Sequence, residues 1–124
     1  MHNILKLHND KGFLMIEVIL VIAIIAIGLF AVMSLATAVI KGNTQSKNAT
    51  AAITLAQDKM EYIRGVGYDN ITGTSSAYND YYLQTLVQNN VPSANMKTVT
   101  VDVYWNPGTP TSNHKVTLET IFAK

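Results

Sequence analysis

The side chain with the most consequential setting for chemistry in this 124-residue chain is Glu17. Its carboxylate stands one position before an apolar run, Val18 to Ile40, that holds no charged residue. An ionised carboxylate at the centre of a bilayer costs roughly 2.5–3.5 kcal/mol on insertion scales, so an acid carried into hydrocarbon beside that run needs a partner. A cut between Gly12 and Phe13 would supply one, the freed amine of Phe13, a positive charge four residues before Glu17 and about one helical turn away. An identical neighbour displaced along the helix axis can equally bring its own amine to this carboxylate. The chemistry on offer is ion pairing, and it would turn a membrane liability into an assembly contact.

The remaining chemistry-bearing residues do not assemble into a catalytic set. His2 and His8 lie in the first twelve residues, and His114 is read as a solvated loop histidine without the partners a metal or a general base requires. Asp58 and Glu61 stand three apart on a helix and could bind a cation, but Lys59 and Arg64 beside them make a solvated charged face. Tyr78, Tyr81 and Tyr82 could stack on a sugar or a base. At helical spacing they read first as core or subunit contact, and Trp105 as part of a sheet's buried face. The absence of cysteine excludes a disulfide and a thiolate metal site. Nine basic against eight acidic residues leave no basic face for nucleic acid. A non-enzymatic protein without metal or cofactor is expected.

These residues must be positioned by a few elements. The 23 residues from Val18 to Ile40 make a helix of about 34 Å, enough to cross a bilayer core. Lys41-Gly42-Asn43 is the first polar break, and Gly42 weakens a helix by only about 1 kcal/mol, so the helix can continue. Beyond it Ala49, Ile53, Ala56, Met60 and Ile63 fall at spacings of 4, 3, 4 and 3, one stripe down a helix that Gly65 and Gly67 then stop. Tyr68 to Ala77 reads as a surface connection. Tyr78, Tyr82 and Leu86, with Leu83 and Val87, favour a short helix, although Tyr81, Leu83 and Thr85 alternate imperfectly and keep a strand open. Asn89-Asn90-Val91-Pro92 ends that element.

From Lys97 to Trp105, Val99, Val101, Val103 and Trp105 alternate with polar neighbours in the period of a strand. A loop over 106–113 leads to a second strand with Val116, Leu118 and Phe122 on one face, spoiled near its end by Thr120 and Ile121. The hairpin's apolar face can lie on the helical stripe, and it has to, because a separate domain of about 59 residues after Gly65 would be marginal. The expected fold is α+β: a long N-terminal helix, its first half transmembrane, packed by its second half on a small antiparallel sheet. Three parts follow: residues 1–12 as a leader, 13–40 as the transmembrane half of the helix, and 41–124 as amphipathic helix and head.

Lys11-Gly12-Phe13-Leu14-Met15-Ile16-Glu17-Val18 with the apolar helix behind it resembles the processing site of type IV prepilins and of type II secretion pseudopilins, usually written G-F-T-L-I-E. The run Phe13 to Leu29 is most similar to minor pilins of the PilV type, as are Leu55-Ala56-Gln57 through Arg64 and the closing Val-Tyr-Trp and His-Lys-Val-Thr-Leu-Glu-Thr-Ile. The resemblance implies cleavage between Gly12 and Phe13 by the prepilin peptidase, N-methylation of Phe13, and a docking role for Glu17. It implies other pilin or pseudopilin subunits, an inner-membrane assembly platform and the lipid bilayer as partners. It places the chain as a single-pass protein of the bacterial inner membrane, head outside the cytoplasm, before incorporation into a pilus or pseudopilus. Leu14 departs from the usual Thr, and Ser34 stands where major pilins carry a helix-kinking proline, which favours a minor subunit. Many Gram-negative pilins close a C-terminal disulfide loop; this cysteine-free chain has to hold its head by packing.

Removing residues 1–12 takes away Lys6, Lys11 and Asp10, leaving seven basic and seven acidic side chains. The slightly positive leader then belongs on the cytoplasmic side. Two other readings of the same stretch stand beside this one. A Sec signal peptide would use Lys6 and Lys11 as its basic region and Ala36-Thr37-Ala38 as its cleavage site. A plain single-span anchor would carry an extracytoplasmic binding domain. Against the first, an acid directly before the core works against the expected positive flank. Within the family, adhesion, motility, secretion and DNA uptake remain open.

Overall fold

The computed structural model describes residues 12–124, and the expected leader therefore lies outside the described residues apart from Gly12. The chain divides into two compact units, Met1–Asn43 and Thr44–Lys124. One helix, α1 (Gly12–Val66), contributes to both. The sheet lies wholly in the second and comprises β1 (Thr74–Tyr78), β2 (Tyr81–Asn89), β3 (Met96–Trp105) and β4 (His114–Ala123), antiparallel in the order β1-β2-β3-β4. The protein is α+β, a long apolar N-terminal helix whose second half packs on a small antiparallel sheet.

In the second unit α1 buries Ala52, Ala56, Met60 and Ile63 against Leu83, Val99, Val101, Val103 and Trp105. Each fully buried valine contributes about 1.5–3 kcal/mol. The buried stripe differs from the expected one: Ile53 is 40% exposed, and Ala52, one residue earlier, is fully buried. The 3.6-residue period carries Ala52, Ala56 and Met60 down one line, and two alanines let the helix backbone approach the sheet closely where isoleucine would not fit. Past Val66 the chain turns at Gly67, whose φ of 83° is left-handed, and the Asn70 side-chain amide donates to the Val66 carbonyl at 3.0 Å, satisfying one of the orphan acceptors at the helix end. Lys97 in β3 donates to the Tyr68 carbonyl at 2.8 Å with its ammonium 4.7 Å from the Tyr68 ring centre, which ties this exit to the sheet.

The short helix favoured around Tyr78–Val87 is instead the β1–β2 hairpin, with Tyr78 facing Tyr81 across a two-residue turn in which Asn79 takes φ 51°. Tyr81, Leu83, Thr85 and Val87 share the inner face opposite Trp105, Val103, Val101 and Val99, while Tyr82 and Leu86 lie on the outer one. Pairing with β3 on one side and β1 on the other outweighs a four-residue spacing that suits either geometry. The expected connection over 68–77 likewise holds a short 3₁₀ turn, Tyr68–Asn70, and β1. All five β1 residues are exposed, so no apolar alternation announces the strand.

The 106–113 loop and the β3–β4 hairpin stand as expected. Thr120 and Ile121 do not end β4, which alternates in burial to Ala123 with Thr120 inward opposite Val99 and Ile121 outward. β3 is buried on its outer face too. Thr98 donates to the Val91 carbonyl at 2.9 Å, and Tyr104 lies 6.3 Å from the Tyr82 ring and 5.8 Å from the Lys115 ammonium.

Candidate functional site

Every long apolar side chain from Phe13 to Ile40 is at least 48% exposed, Phe13 reaching 74%. The best 18-residue window has a mean hydropathy of 3.1 and none of it is buried within the protein. Nineteen large apolar side chains lie on this surface. At about 1.5–3 kcal/mol each, leaving them in water forfeits tens of kcal/mol, so the segment requires lipid or protein around it. Among the described residues one helix is long and apolar enough to cross a membrane.

Only three residues between 13 and 40 carry polar side chains: Glu17, Ser34 and Thr37. The Ser34 hydroxyl donates to the Phe30 carbonyl and the Thr37 hydroxyl to the Met33 carbonyl, both at 3.0 Å and both one turn back along the helix. Their polarity is thereby satisfied inside the helix, as hydrocarbon demands. Glu17 is different. It is exposed, and among the described residues nothing pairs with it. The span thus presents one unanswered polar group, four positions after Phe13 on the same helix face.

Gly12 and Phe13 both lie in α1, exposed, and among the described residues nothing beyond the adjoining helix comes within 4 Å of a Cβ placed on Gly12. Gly12, Phe13 and Glu17 are therefore brought together on one turn and a half of accessible helix. Comparison with protein-family models, with curated proteins and with solved structures gave no match. What the chain does has to be read from this surface and from the head.

The other sequence candidates are dispersed. His114 is not a solvated loop residue: it opens β4, half-buried, its ring 5.9 Å from that of Trp105. Glu61 pairs with Arg64 at 2.9 Å across an exposed turn, and among the described residues Asp58 has no ion pair. Among the described residues no group of three His, Cys, Asp or Glu could hold a metal ion. The tyrosines separate as well: Tyr78 is exposed, Tyr82 lies on the outer face, and Tyr81 packs beside the core at the rim of a cleft. That cleft combines Tyr81 with Asp80, Asn106 and Asn48. Asn106-Pro107-Gly108 marked a turn in the sequence, but nothing there marked its proximity to the Asn79-Asp80 turn.

Proposed function

We propose that the chain is a non-enzymatic structural subunit of the type IV prepilin class, a minor pilin or a pseudopilin. Prepilin peptidase cuts between Gly12 and Phe13, and the Phe13 amine is methylated. Until assembly the apolar helix sits in the inner membrane with the head outside the cytoplasm; the assembly platform then moves it into a pilus or pseudopilus. The transfer is energetically feasible because sister helices replace lipid around the same apolar surface, so little apolar area meets water in either state.

The observation that carries this reading is the contrast within the span: two hydroxyls satisfied by their own helix and one exposed carboxylate that is not. A membrane anchor has no use for Glu17, whereas a subunit that must register against its neighbours does. There the carboxylate meets the Phe13 amine of an adjoining subunit.

Glu17→Ala tests the assignment by following leader removal and fibre incorporation separately. Normal cleavage with incorporation reduced at least tenfold is expected, and undiminished incorporation overturns the role of Glu17. N-terminal sequencing of the mature chain tests the class itself. It should begin at methylated Phe13; a start at Val39 would mean a Sec-exported domain, and an intact Met1 a simple anchor.

A further inference from the structure

The second unit holds a cleft of about 530 Å³ that the assembly reading does not use, lined among others by Asn48 of α1, Asp80 and Tyr81 of the first hairpin, and Trp105, Asn106 and Gly108. We propose that this cleft binds a neutral saccharide. The proposal stands on the head alone and is independent of how the N-terminal helix is used.

The side-chain inventory is the first ground. A sugar ring presents C–H patches between hydroxyls that both donate and accept, so its site needs an apolar wall and planar polar groups of both kinds. Asp80 supplies a carboxylate acceptor, Asn48 and Asn106 supply carboxamides that donate and accept, and Tyr81 supplies a phenol. Among the described residues none of these four side chains spends a hydrogen bond on the protein; Asp80 and Asn106 are exposed at the rim, and Asn48 and Tyr81 are half-buried beneath them. Half-buried Tyr81 and Trp105, which is 7% exposed, are the aromatic residues of the lining. A pocket of this volume falls within the range of small-molecule sites.

The second ground is that the rim is built before any ligand arrives. Gly108 lies against the Asp80 peptide so closely that an added Cβ would stand 2.7 Å from the Asp80 carbonyl carbon, and Asn106 turns the loop at φ 45°. Behind them the buried Ser112 hydroxyl donates to the Trp105 carbonyl at 2.5 Å and accepts from the His114 N–H at 3.1 Å. This bracing holds the loop backbones that carry Asp80 and Asn106, so the rim itself needs little ordering on binding.

Charge selects the ligand class. Among the described residues Asp80 is the one ionic group on the cleft, which disfavours phosphates, nucleotides and acidic sugars. A lone carboxylate with two amides is a poor cage for a divalent cation, which takes six or more oxygens.

Trp105 is the only tryptophan of the chain, so its emission reports on this site. The full-length protein, in micelles of a zwitterionic detergent without a sugar headgroup, is titrated with glucose, galactose, N-acetylglucosamine and their β-linked disaccharides, with glucuronate and Ca²⁺ as controls. A saturable emission change is expected for at least one neutral sugar, with half-saturation on the order of 1–10 mM. Asp80→Ala should raise that concentration at least tenfold and Asn48→Ala about fivefold, both with unchanged far-ultraviolet circular dichroism. If an Asp80→Ala protein has lost its fold, the Asn48→Ala shift alone decides. The proposal is overturned by no saturable change with any neutral sugar, by the same change with Ca²⁺ alone, by tighter binding of glucuronate, or by folded variants that bind unchanged.

Discussion

The Thr117 hydroxyl of β4 donates to the Asp102 carboxylate of β3 at 2.5 Å, directly across the strand pair, and Asp102 is only 5% exposed although it lies on the sheet face opposite α1. Among the described residues its only other side-chain hydrogen bond is a long one, 3.5 Å from the Tyr104 hydroxyl. Thr117 is therefore the main hydroxyl that answers a buried carboxylate in the middle of the sheet.

Thr117→Val keeps the shape and removes that donor. A loss of about 1–3 kcal/mol is expected, because the partner left behind is a carboxyl group shielded from water. Thr117→Ser, which keeps the hydroxyl, should lose less than about half as much. Denaturant unfolding followed by Trp105 emission measures both, and equal losses would show that β-branching at this position matters more than the bond.

Thr85 makes the opposite prediction. Its hydroxyl is buried in the sheet face under α1, 3% exposed, and among the described residues it has no hydrogen-bond partner. Thr85→Val replaces the stranded hydroxyl with a methyl of similar size and should raise stability by about 1 kcal/mol, read as a higher denaturation midpoint at unchanged slope.

Two glycines separate close approach from mere flexibility. At Gly108 an added Cβ would overlap the Asp80 peptide, so Gly108→Ala has to push two loops apart and should cost about 2 kcal/mol or more. At Gly73 the nearest atom to such a Cβ is the Thr85 carbonyl oxygen at 3.1 Å, which a shift of a few tenths of an ångström relieves. Gly73→Ala should therefore lose less than half as much, measured by thermal unfolding of the two variants side by side.

The revised helical stripe is tested by a pair of substitutions. Ala56 is fully buried against the sheet, and Ala56→Leu should destabilise by about 1–3 kcal/mol through overpacking. Ile53 is 40% exposed, and Ile53→Ala should change stability by less than about 1 kcal/mol. The reverse order would restore Ile53 to the core.

Much of this molecule was legible because its signals are local. An uncharged run from Val18 to Ile40 states its need for an apolar surround whatever the rest of the chain does, and the alternation of Val99, Val101, Val103 and Trp105 can be satisfied only by a strand with a buried face. Gly12, Phe13 and Glu17 are close because they are close in sequence, so their arrangement follows from one helical turn.

What only the tertiary structure decided are the matters settled by pairing between distant segments. Tyr78 to Val87 carries a spacing that fits either geometry, and its strand geometry is decided by β3, whose sequence lies beyond it. β1 has no apolar face of its own and exists as an edge added to β2. The burial of Ala52 over Ile53 depends on how closely the helix backbone approaches the sheet, a distance that hydrophobicity does not encode. The cleft at Asp80 and Asn106 joins two turns 26 positions apart through a glycine whose value lies in having no side chain. Periodicity records which side of an element seeks cover, but the partner that covers it is chosen only when strands pair and close the space between them.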